Sequence, residues 1–211
     1  MPGSAAEDGV ASSVPLTRHR SVWSRDLGRI HEKNPRFRTR EQMSSDAAIA
    51  LRSEMSHGGK HSVLHGIMWA WTEFYGKYRG CPLWTPKAIV ELSNNPLPDS
   101  KKFRHEHSVP KQLIMDMLFE LADPTADRVH ELLSGLLFGV VVTRDEDDAL
   151  NVDYRRTMPP EFHEPGSPEF MDPWLRYKRC GITVVNRTDG DRIVIGSSTA
   201  NRSTRPSGDV L

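Results

Sequence analysis

Lys101-Lys102-Phe103-Arg104-His105-Glu106-His107-Ser108-Val109-Pro110 is the stretch that decides the fold class. Phe103, His105 and His107 alternate with Arg104 and Glu106, the two-residue period of a strand with two unlike faces. Pro110 cannot donate to a ladder and turns the chain. A strand set among segments of helical spacing makes α+β the expected class: a helix-rich domain with a small mixed or antiparallel sheet.

Working outward, SSDAAIALRSEM from Ser44 has a Ser/Asp cap and helix formers, and Gly58-Gly59 is expected to stop that helix. Lys60 to Tyr75 should form the next one. Its Val63, Leu64, Ile67, Met68, Trp71 and Phe74 recur at three- and four-residue intervals and make one broad apolar stripe. Thr85-Pro86 reads as the cap and first residue of a short helix through Leu92. Beyond the strand, helices are expected over Lys111 to Leu121 and about Thr125 to Leu137. The short β-branched run Gly139 to Thr143 is expected as a second strand. Thr143 and Glu146 have capping-box spacing and open a helix over Arg144 to Asn151. RTMPPEFHEPGSPEF reads as loop, Asp172 to Arg179 as a short helix, and ITVVN with DRIVIG as a hairpin turning around Arg187 to Gly190. The chain has no internal repeat, P-loop, dinucleotide-binding glycine pattern or nucleophile elbow.

A length of 211 residues suits one domain with tails, able to bury roughly 70% of the surface of its unfolded chain. Residues 1–40 read as a basic, largely disordered arm, 41–196 as a single α+β domain and 197–211 as a disordered tail, because neither end has the apolar groups to offset its ordering entropy. Lys and Arg number 28, as do Asp and Glu, which excludes a uniformly basic coat. Between Leu16 and Arg40 the arm nonetheless holds Arg18, Arg20, Arg25, Arg29, Lys33, Arg36, Arg38 and Arg40 against Asp26 and Glu32. Cys81 and Cys180 lie far apart and fit buried free thiols in a reducing compartment. With no secretory pattern at its start and no apolar run near the ~20 residues a bilayer needs, the chain is expected to be cytoplasmic, without a membrane partner.

The richest candidate for chemistry is His105-Glu106-His107. An imidazole can take a proton from water at neutral pH, and an adjacent carboxylate can hold a hard cation. Glu106-His107-x-x-Pro110 resembles the acid-His-x-x-Pro core of the HNH endonucleases, the ββα-metal or His-Me finger family. Val141-Val142-Thr143 leading into Arg144-Asp145-Glu146-Asp147-Asp148 resembles that family's second strand and ligand-bearing helix. The resemblance covers roughly residues 104–151, with two extra helices inserted between the motif's halves. It implies a metal-dependent nuclease, a hydrolase of DNA phosphodiesters, of the kind found in bacterial defence or mobile elements. His107 would be the general base with His105 beside it, and Glu106 with Asp148 or Asp147 would hold Mg2+ or Mn2+. Arg104, Lys101 and Lys102 would meet flanking phosphates, and nucleic acid would be the partner. The competing class is a non-catalytic nucleic-acid-binding or protein-interaction module, in which Glu106 and His107 only stabilise a strand end.

Two further clusters have plainer readings beside sharper ones. His61-x-x-x-His65 has a spacing that can bind Zn2+, alone or with His105 and His107, but two solvated histidines flanking an apolar stripe are the simpler account. His57 would extend the row if Gly58-Gly59 did not interrupt it. Trp69, Tyr78 and Trp84 could stack bases, although aromatic residues at helical spacing more often pack a core.

Overall fold

The computed structural model describes residues 38–78, 80–94 and 101–187. The basic arm up to residue 37 and the DRIVIG half of the expected hairpin lie outside the described residues. In chain order the elements are α1 (Arg40–Arg52), α2 (His57–Thr72), β1 (Leu83–Trp84), α3 (Pro86–Asn94), β2 (Phe103–His107), α4 (Lys111–Glu120) and α5 (Ala126–Leu136). They continue with β3 (Gly139–Thr143), α6 (Arg144–Tyr154), a 3-10 turn (Pro160–His163), α7 (Leu175–Arg179) and β4 (Val185–Asn186). The class is α+β, with one mixed sheet in the order β2-β3-β1-β4.

Several boundaries differ from expectation for local reasons. α1 starts four residues before Ser44, because Thr39 and Gln42 form a reciprocal capping box. It ends at Arg52, so Gly58-Gly59 is no stop. Those glycines sit in the first turn of α2, where the Ser56 hydroxyl accepts from the Gly59 amide at 3.2 Å. β1 has no sequence signal: two residues between a proline and a helix cap are too few for alternation to show. β4 pairs antiparallel with β1, Trp84 opposite Val185, rather than being only half of a local hairpin.

Two strand pairs place the candidate residues. β2 runs antiparallel to β3, with Phe103 opposite Thr143, His105 opposite Val141 and His107 opposite Gly139. β3 then runs parallel to β1, Trp84 beside Val141. On one face Val140 and Val142 pack with Leu150 of α6 and Tyr177 of α7. On the other, Val141 and Phe103 pack with Trp84 and Ala88. The largest apolar cluster is helical, joining Met43 and Ala47 of α1, Leu64 and Trp71 of α2, Leu118 of α4 and Leu133 of α5. Among the described residues, no helix is long and apolar enough to cross a membrane.

Candidate functional site

Strand alternation sends His107 and Glu106 to opposite faces of the sheet. Arg104 and Glu106 share the face of Val140 and Val142, toward α6 and α7, while His105 and His107 share the face of Val141, toward α2.

On the α6/α7 face the organising group is Arg176, whose side chain is fully buried. Its guanidinium donates to the Glu106 carboxylate and the His107 carbonyl, to the Ser108 carbonyl at 2.9 Å and to the Tyr154 carbonyl at 3.1 Å. A planar fork with five donors suits such a set of acceptors. Asp147 of α6 lies on the same side, accepting from Asn151 at 3.1 Å and standing 3.7 Å from Arg104. Burial raises the Asp147 carboxyl above the ordinary carboxylate range, and the Glu106 charge adds to the shift. Asp148, one residue on, is 69% exposed and pairs with Arg144 at 3.9 Å.

On the α2 face, His105 and His107 are buried beneath Trp69 and Thr72 of α2. The Thr72 hydroxyl, which donates to the Met68 carbonyl, stands 3.3 Å from His107 Nε2. Burial holds the His107 imidazole well below its usual range, with the charges of His105 and Lys111 adding to the effect. His105 is lowered to about 4, mainly by burial, with Lys77 and Lys111 contributing. Its ring rests on Gly139, where a Cβ would come within 2.5 Å of His105 Nε2, so the strand opposite requires glycine.

The residues drawn together by the sequence resemblance are therefore divided. Glu106 and Asp147 face the same side, Asp148 turns outward, and the His107 imidazole lies across the strand from all three carboxylates. Among the described residues no group of three or more His, Cys, Asp or Glu stands together to hold a metal. Of the carboxylates expected to hold Mg2+ or Mn2+, Glu106 is bound to Arg176 and Asp147 stands beside Arg104, so each already faces a guanidinium. His57, His61 and His65 do share α2, correcting the expected break at the glycines. His61 and His65 rings stack with centroids 6.3 Å apart. Trp69, which donates to His65 Nε2 at 3.3 Å, stands between that pair and His105 and His107.

Lys101 and Lys102 instead belong to a cleft of about 630 Å³ between α3 and the start of α6. Lys87 and Arg144 join them there, against Glu91 and Asp145, so four cations face two carboxylates. Lys102 pairs with Glu91 at 2.6 Å. Both helices begin at the cleft, and one carboxylate ties their starts together. Glu146 Oε2 accepts from the Thr85 hydroxyl at 2.7 Å, the Thr143 amide at 3.0 Å and the Thr143 hydroxyl at 3.1 Å. Sequence reasoning finds the Thr143–Glu146 box but not its link to Thr85, and it misses Arg176, Lys87 and Arg144 as site residues. Thr85-Pro86-Lys87 and Thr143-Arg144, each a cap closely followed by a cation, are the signal that the sequence does carry.

Searches of protein-family models, curated proteins and solved structures return no match to this chain.

Proposed function

We propose that this domain binds nucleic acid through the α3/α6 cleft, as a non-catalytic module in which Glu106 and His107 hold a strand end in place. The observation that carries the reading is the grouping of Lys87, Lys101, Lys102 and Arg144 around two adjacent helix starts. Cations and helix N-termini both favour a phosphate backbone, although the Glu146 carboxylate already serves part of each helix start. The basic arm Arg18 to Arg40 adds further cations to the same chain. On the other side, Glu106 and His107 each have buried partners of their own, on opposite faces.

One observation favours the hydrolytic reading as a second: the order β2, antiparallel β3, then a capped helix placing Asp147 on the face of Glu106 is the ββα order that the sequence resemblance implies. A pair of assays separates the two. Fluorescence anisotropy with labelled duplex and single-stranded DNA is expected to show saturable, salt-dependent binding. The double variant Lys87→Glu/Arg144→Glu should weaken it and flatten the slope of log K against log salt by about one for each phosphate no longer neutralised. Plasmid incubated with Mg2+ or Mn2+ should stay uncut. Nicking that disappears in His107→Ala would establish the hydrolytic reading instead, and unchanged affinity in the double variant would remove the cleft.

A further inference from the structure

We propose that the cationic cleft continues into a second hollow that seats one unpaired base of a single-stranded nucleic acid, whose exocyclic amino group donates to the Asp145 carboxylate. This rests on the reading of the cleft as a nucleic-acid site and names the kind of strand it takes. The hollow, of about 260 Å³, lies between the starts of α3 and α6 and the turn that follows α7. Pro86, Lys87 and Asp145 line both it and the cleft, so the two make one continuous depression.

The two ends of that depression differ in chemistry. Lys101, Lys102 and Arg144 present positive charge in the cleft, whereas the hollow is walled by Ala149, Cys180, Gly181, Ile182 and Thr183, all small or apolar. Gly181, at a φ of 65°, reverses the chain after α7, and the Ile182 amide closes the turn by donating to the Tyr177 carbonyl at 2.9 Å. The wall is therefore fixed by backbone. At the joint stand Lys87 and Asp145, whose side chains have no hydrogen bond or ion pair among the described residues.

Asp145 is what selects the ligand. Glu91, the other carboxylate of the cleft, is already paired with Lys102 at 2.6 Å, but Asp145 is exposed and repels a phosphate. A site for backbone alone gains nothing from it. A carboxylate accepts from N–H donors, which cytosine supplies at its amino group, while thymine offers a carbonyl oxygen at the same ring position. The volume, smaller than the roughly 300–1,000 Å³ of drug-sized pockets, suits one flat ring. Entering a concavity costs a duplex base its pairing and stacking, whereas an unpaired base turns in without that loss.

The test uses the full chain with single-stranded DNA hexamers of cytosine alone or thymine alone, and a twelve-base-pair duplex. Cys180 is the reporter, because the chain has two cysteines and Cys81 is buried, its thiol pushed up to about 12, so that maleimide labels Cys180. The cytosine hexamer is expected to bind about tenfold tighter than the thymine hexamer, and at saturation to slow Cys180 labelling severalfold. Asp145→Asn, whose amide both donates and accepts, should bring that affinity ratio near one and leave the salt dependence in place. Asp145 also suits the positive end of α6 as an acid in its first turn. Were that its one role, Asp145→Asn would leave the ratio unchanged, which overturns the base seat. Salt-dependent binding with no cytosine preference and no protection of Cys180 also overturns the base seat and leaves the cleft standing. Equal protection by the duplex overturns the single-strand assignment, and no binding by any of the three DNAs removes cleft and base seat together.

Discussion

Arg176 directs its guanidinium at four acceptors contributed by Glu106, His107, Ser108 and Tyr154, and has no exposure to water. Truncating it would leave a partly buried Glu106 carboxylate and three carbonyls without that donor. Arg176→Ala is therefore expected to cost about 3–5 kcal/mol in urea unfolding, the range for breaking a buried pair from one side. Glu106→Gln keeps an acceptor for the same guanidinium and should cost distinctly less. A loss under about 1 kcal/mol in Arg176→Ala would mean the clamp contributes little. Glu106 and His107 stand out in the sequence because unlike polar groups sit together on an alternating strand. Their partners do not, since Arg176 follows about seventy residues later in a stretch with no pattern of its own.

The starts of α3 and α6 behave as one joint because the Glu146 carboxylate serves both caps. Glu146 is 5% exposed, and its amide also donates to the Thr143 hydroxyl at 3.3 Å. Glu146→Ala removes the reciprocal half of the box and the Thr85 contact together, with an expected loss of about 1–3 kcal/mol. Hydrogen exchange should speed up at the first turns of both helices, and under the proposed function nucleic-acid affinity should fall because Lys87 and Arg144 no longer keep a fixed spacing. Faster exchange confined to α6 would show that the Thr85 link has no mechanical role. The box itself is legible in Thr143-Arg144-Asp145-Glu146, a local signal. The Thr85 contact spans 61 positions and has none.

Acid should loosen the whole domain through the buried imidazoles. His105 and His107 are both lowered by burial, His105 from about 6.5 to about 4, so the unfolded chain binds protons that the folded one refuses. Their contribution to stability is thus fully present above about pH 6.5 and is lost as the pH falls toward 4. Urea midpoints measured across that window should drop steadily. In His105→Gln the slope should be shallower, and an unchanged slope would place the titrating groups elsewhere.

The amino-acid sequence by itself determined the class and most of the elements: apolar groups at three- and four-residue spacing make helices, alternation over Phe103 to His107 makes a strand, and local caps at Thr125 and Thr143 start helices. These signals are short-range and survive without knowledge of what packs where. Tertiary structure alone decided which face of β2 meets which helices, that Asp147 rather than Asp148 turns inward, and that Trp69 separates the two histidine pairs. The sheet order β2-β3-β1-β4 belongs with these, because pairing distant strands is settled by mutual burial of their faces and leaves no local mark in the chain.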